Sequence, residues 1–183
     1  MRREEAAEML ERYVHSDWLK KHSLATAAIM ERLAGRLGGD QDTWWVTGII
    51  HDLDFDLTQD PAVHGRKSEQ ILREHGVREE IIQAVLAHNA EGLGIERRST
   101  LDFAVTSAET ITGLIVATAL VMPDKKLASV KPESVLKRMK KKDFARKVSR
   151  DHIMLCEKTG ISVEEFAAIS VEAMQDVAEE LGL

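Results

Sequence analysis

Trp44-Trp45-Val46-Thr47-Gly48-Ile49-Ile50-His51-Asp52-Leu53-Asp54 is the stretch that decides the fold. An apolar run of helical character ends on an imidazole and a carboxylate. Trp44, Thr47 and His51 recur about one turn apart, so His51 shares the inward face of the run. Asp52 follows directly, and on a regular helix its side chain points about 100° away. Two such groups at the buried end of a helix are costly unless something pairs with them. A divalent cation placed at the helix end, where the geometry opens into the Asp54 loop, meets both.

Working outward, the hydrophobic period is helical nearly everywhere. A first helix is predicted from about Arg3 to Val14. A second, with Ser16 as cap, reaches about Leu37 and stops at Gly38-Gly39. The third begins near Asp40 and carries the run above. Asp54 to Ala62 is predicted to be an acidic loop. A fourth helix spans about Val63 to His75 and a fifth Arg78 to about Asn89. The sixth, strongly apolar, covers about Thr100 to Val121 and ends before Pro123. Pro132-Glu133 opens another, and the last starts at Ser162 with Glu165 three residues later. The prediction is one all-α domain over residues 1–183, with a core over about 18–121 and a C-terminal helical extension over about 124–183.

Composition agrees. A chain of 183 residues, 44% hydrophobic and 31% charged, can bury a sizeable core and is not of disordered type. Three prolines and 4% aromatics suit helices better than a sandwich or barrel. A net charge of −6 argues against a general nucleic-acid surface but leaves room for a local basic pocket. The lone Cys156 excludes an intrachain disulfide. The first residues, Met1 to Ala7, hold no apolar signal core, and no stretch approaches transmembrane length without a charge. A cytoplasmic location and no membrane partner are therefore expected.

More polar side chains fall where the pattern predicts core. His22 shares a face with Leu19, Thr26, Ile29 and Leu33; His88 follows Ile81 and Val85; Glu109 follows Val105 and precedes Thr112 and Val116. His64 opens the fourth helix beside Gly65. Buried separately, these groups would cost several kcal/mol each, whereas one shared cation satisfies them together. Imidazole and carboxylate donors without thiolate suit Mn, Fe, Co, Ni or Zn rather than a structural zinc cluster. His15, His75 and His152 read as peripheral.

At these residues the chain resembles the HD-domain superfamily of metal-dependent phosphohydrolases. The isolated His22, the His51-Asp52 pair and the distant Glu109 match its ordered pattern. The segments His22–Ala27, Gly48–Asp54 and Thr112–Ala119 look like small HDIG-type proteins. The resemblance implies a compact helical bundle and one or two divalent ions. The full set would be His22, His51, Asp52, His64, His88 and Glu109, with Asp52 bridging. The family's last ligand is an Asp; Glu109 is longer by about 1.5 Å. Leu53-Asp54 also departs from the Ile-Gly of the nickname.

The activity so implied is hydrolysis of a nucleotide or other small phosphoester by metal-activated water. Asp54 is the candidate to orient or deprotonate that water, and Lys67 to contact phosphate, with Arg66 and Lys125-Lys126 as further options. The basic stretch from Lys125 to Lys147 lacks interleaved aromatics, so it reads as a pocket rim or a solvated face rather than a DNA-binding module. Two other readings stand beside this one: a di-iron oxygenase on the same scaffold, and a non-catalytic metal-containing sensor. The apolar terminal helices suit either a cover for the core or a homodimer.

Overall fold

The computed structural model describes residues 1–183 and contains helices, turns and no strand. The helices run in chain order as α1 (Arg3–Tyr13), α2 (Asp17–Leu37), α3 (Gln41–Ile50), α4 (Arg66–Glu74), α5 (Glu79–His88), α6 (Ala90–Leu93), α7 (Thr100–Leu120), α8 (Pro132–Met139), α9 (Arg150–Met154), α10 (Val163–Asp176) and α11 (Ala178–Leu181). Two 3-10 segments, Leu127–Ser129 and Leu155–Thr159, complete the set.

Two apolar clusters meet along α2. One packs α1, α3, α4 and α5 against Leu19 and Ala27 of α2. The other surrounds α7 with Ala25, Ile29 and Leu33 of α2 and with Val135, Ile153, Phe166 and Val171 of the C-terminal helices. Residues after Pro123 thus share a core with α2 and α7. By length and composition α7 could cross a membrane, but 67% of its most apolar stretch is buried inside the protein. It is the central helix of the bundle. Its polar residues are compatible with that place because Thr106, Ser107 and Thr118 each donate to the carbonyl four residues back.

Local chemistry fixes the ends that matter for the site. Gly38 closes α2 in the left-handed conformation at φ 73°, and the Gly39 N–H reaches Ala34 O at 2.9 Å. Asp40 then caps α3 by accepting from Thr43 N at 2.8 Å. These two signals fold α3 back onto α2. The closest approach is at Gly48, where an added Cβ would stand 2.7 Å from Ala27 Cα and 2.8 Å from Ala27 N. Only a missing side chain lets the two backbones come so near.

Three expectations change. Helix α4 starts at Arg66, not near Val63, because Gly65 adopts φ 94° and Asp54 supplies the cap from upstream; His64 therefore sits on the preceding turn. Ser16 occupies the position before α2, but its hydroxyl donates to Asp56 Oδ1 at 2.6 Å instead of capping. The short α6, α9 and 3-10 segments were not foreseen, since four or five residues hold too little of a period to read.

Replacing Gly48 by Ala is expected to cost about 2 kcal/mol through overpacking, a fall in Tm of ~4–8 °C. At exposed Gly35 the added Cβ meets only the Nε2 end of the Gln41 side chain, at 2.8 Å. That end can swing away, so Gly35→Ala should hold Tm or raise it by up to ~3 °C through helix propensity. Thermal melts of the two variants side by side check the contrast.

Candidate metal centre

Five side chains converge where α2, the end of α3, the turn before α4 and the end of α5 meet. His22, His51 and Asp52 form one group of donor atoms, and Asp52, His64 and His88 a second; within each group all lie within 4.8 Å of one another. Asp52 is common to both. Its Oδ2 faces His51 Nε2 at 3.4 Å and His22 Nε2 at 3.7 Å. Its Oδ1 faces His64 Nε2 at 3.1 Å and His88 Nε2 at 3.2 Å. One carboxylate therefore turns an oxygen toward each of two imidazole pairs. The helix ends at Ile50, and this lets neighbouring residues His51 and Asp52 serve one centre.

The outer ring nitrogens decide what the inner ones can do. His51 Nδ1 donates to Gly48 O at 2.8 Å, and His88 Nδ1 donates to Val85 O. His64 Nδ1 donates to Asp54 Oδ1 at 2.8 Å. The Thr112 hydroxyl gives its proton to Glu109 O at 2.6 Å, so at 3.0 Å it accepts from His22 Nδ1. With a proton on every Nδ1, each ring in its neutral form aims a bare Nε2 lone pair inward. His22 Nε2 then faces His51 Nε2 at 3.2 Å, and His64 Nε2 faces His88 Nε2 at 2.7 Å. Ring nitrogens held that close need a positive charge between them, a proton on His64 in the metal-free protein or a metal ion. This donor set, neutral imidazoles around an ionised carboxylate with every outer nitrogen anchored, fits one or two divalent ions.

Electrostatics agree in direction. Burial opposes ionisation of Asp52, but His51, His64 and His88 outweigh it and hold the carboxyl well below its usual range. Burial also opposes charge on His64; Asp52 and Asp54 overcome it and raise that imidazole to about 10. At His22, burial and then the neighbouring His51 push the value down to about 4. Burial raises Glu109 to about 7.

The remaining candidates are placed differently from their sequence expectation. Asp54 is wholly buried. Its Oδ1 holds His64, and its Oδ2 accepts from the N–H groups of Gly65 (2.8 Å), Lys67 (3.2 Å) and Ser68 (3.3 Å). With both oxygens engaged by protein donors, it positions His64 and caps α4. Lys67 reaches this unit through its backbone, while its side chain is exposed. Glu109 stands outside both convergent groups, and its carboxylate accepts from the Thr110 hydroxyl.

Several contributors left no mark in the sequence pattern. Asn89 donates to His64 O at 2.9 Å and to Pro61 O at 2.7 Å, which pins the turn. Arg97, nearly buried, joins Glu91, Thr106 Oγ1 and His88 O. His152, read as peripheral, lines a polar cleft with His22, Glu109, Lys147 and Ser149. The loop carrying Lys147 is gathered by Arg150, whose guanidinium donates to the carbonyls of Met139, Lys141, Phe144, Ala145 and Val148. Ala145 sits there at φ 44°, a conformation that costs about 1 kcal/mol or more without such support.

The model of the HD-domain family matches residues 19–119, more than half of the chain and all five convergent residues. The chain belongs to the HD-domain family. Among curated proteins, this HD-domain protein is similar to Ribonuclease Y of Cutibacterium acnes, at 32% identity over 95 residues. The match covers 50% of this chain and 17% of that much longer protein. No solved structure matches.

Substituting His51→Ala or Asp52→Ala is expected to abolish metal retention, with His15→Ala as a control that keeps it. Asp54→Asn should weaken metal binding by about 10–100-fold through loss of the His64 anchor. Elemental analysis and titration against a competing chelator read both effects. Because the metal-free His64 titrates near 10, loading at neutral pH should release protons, and affinity should fall as pH is lowered. Calorimetry in buffers of different ionisation enthalpy measures that release.

Proposed function

We propose that this protein is a metal-dependent phosphohydrolase acting on small phosphoesters, nucleotides included. The observation that carries the reading is Asp52, with one oxygen turned to each of two imidazole pairs. His22, His51, Asp52, His64 and His88 would hold the ions. Divalent ions bound there would neutralise phosphate-oxygen charge and lower the pKa of water. Family membership supports the same class of chemistry, and a relative named as a ribonuclease is in keeping with it.

The chain's own residues supply the rest. Gly48 O, Val85 O, Asp54 and Thr112 fix the four rings, so no reorganisation is needed when substrate arrives. The substrate approaches past His22, whose side chain is 20% exposed, against 0%, 10% and 6% for His51, His64 and His88. The adjoining cleft, about 360 Å³, brings Lys147, Ser149 and His152 beside His22. The Lys147 ammonium offers charge to phosphate oxygens, and the Arg150-held loop keeps it there. Glu109 borders the same cleft, near enough to His51 and Asp52 for their charges to act on it. We assign it to proton handling at the cleft rather than to the five-donor set.

Phosphate release should be measured on a panel of phosphomonoesters and phosphodiesters with protein loaded in turn with Mn, Fe, Co, Ni and Zn. Turnover that disappears in His51→Ala is the expected result. Oxygen consumption by the iron-loaded protein without phosphate release would replace this reading with an oxygenase. Lys147→Ala should raise KM by about tenfold or more, the loss of one charge-assisted contact, with metal content unchanged. Glu109→Gln should lower kcat while keeping the metal, which elemental analysis of the same preparation verifies.

A further inference from the structure

A second recess opens on the same exposed edge of His22. This groove, about 470 Å³, runs along α7 and shares His22, Thr112 and Gly113 with the polar cleft. Trp18, Ala25, Val116, Ala117, Leu120 and Leu181 give it apolar walls. Trp18 is 57% exposed and Leu120 50%, so large apolar side chains stand open to solvent beside the centre. The approach to His22 therefore has a charged side and an oily side, which meet at Gly113.

Few polar side chains line the groove: Lys21, His22, Thr112 and the indole edge of Trp18. Lys21 Nζ pairs with Asp17 at 3.2 Å, and the Thr112 hydroxyl is used in both directions between His22 and Glu109. Along the middle of α7 the backbone groups bond within the helix. A nucleobase would therefore meet mostly apolar carbon, and burying its polar edge with few partners is costly. A hydrocarbon chain incurs no such cost. From Gly113 to Leu120 the helix rises about 10 Å, roughly the length of an extended chain of eight carbons.

Building on the phosphohydrolase reading, we propose that the substrate is a phosphoester of a linear aliphatic alcohol. Its chain lies in the α7 groove, and its phosphate lies in the cleft beside Lys147, Ser149 and His152. The ester oxygen crosses Gly113, which is exposed and has no side chain to obstruct it. In the reaction a water oxygen bonds to phosphorus and the bond from phosphorus to the ester oxygen breaks. The alcohol leaves carrying a proton that originates from the water, and inorganic phosphate is the other product.

The test uses ethyl, butyl, hexyl and octyl phosphate with the full-length, metal-loaded protein. kcat/KM is expected to rise about twofold to fourfold per methylene, equivalent to ~0.4–0.8 kcal/mol, the range for partial to full burial of a CH₂ group. Ala117→Trp, which fills the groove, should cut the octyl-to-ethyl ratio by about tenfold or more, with a melt to confirm that the variant folds. Independently of turnover, octyl phosphonate should blue-shift the tryptophan emission of metal-free protein, and Trp18→Phe should remove that shift. A flat chain-length profile in active protein, adenosine monophosphate outperforming octyl phosphate, or no Trp18-dependent shift would each overturn the inference and leave the hydrolase reading standing. Failure of every ester with every ion would overturn the hydrolase reading itself, and this inference with it.

Discussion

Crowded nitrogen lone pairs around a single buried carboxylate are the constraint that organises this molecule. Neutral imidazoles facing one another at hydrogen-bond distance repel unless a positive charge lies between them. The protein does not relieve the repulsion by letting the rings turn. Gly48 O, Val85 O, Asp54 and Thr112 each hold an Nδ1 in place. The close approach is thus built in, and the proton on His64 or a bound cation supplies the charge that makes it favourable.

The bundle serves that constraint. Gly48 lets α3 lie against α2 closely enough to bring His51 to His22, and the same residue's carbonyl orients the His51 ring. Helix α7 approaches from the other side with Thr112, so a helix that is otherwise core also sets the tautomer of His22. The C-terminal helices pack on α2 and α7 and close the second apolar cluster. Through α9 and its preceding loop they also bring Lys147 and His152 to the rim. Core packing and site assembly use the same helix faces.

Much of this was legible in the sequence, for a physical reason. His22, His51 and His88 stand at core positions of strongly periodic helices, where an imidazole is conspicuous. Helices α2 and α3 announce their ends through Gly38 and Asp40, α7 follows its apolar run, and all three lie within a residue or so of expectation; α10 starts after Ser162 as expected and stops at Asp176. What was hidden works through tertiary contacts. The start of α4 is set by Asp54, a residue outside the helix, and no local propensity encodes that. Asp54 was legible as an acid near the centre, but not as one with both oxygens engaged by protein donors. Glu109 was placed by its order along the chain, and order does not say where a longer side chain turns. Asn89, Arg97 and Arg150 act on backbone carbonyls, so their partners carry no residue type for a pattern to reveal.

Arg150 has one more consequence. The ion pairs elsewhere on the surface, such as Arg73 with Glu79, join a base to an acid that can be protonated. The guanidinium of Arg150 instead spends its donors on five peptide oxygens, which do not titrate in water. Mild acid that neutralises carboxylates, or salt that screens exposed pairs, leaves this clasp without a weak partner. The segment from Met139 to Val148 therefore keeps its shape across conditions that would loosen an ordinary charged loop, and Lys147 is presented from a frame indifferent to the acidity of its surroundings.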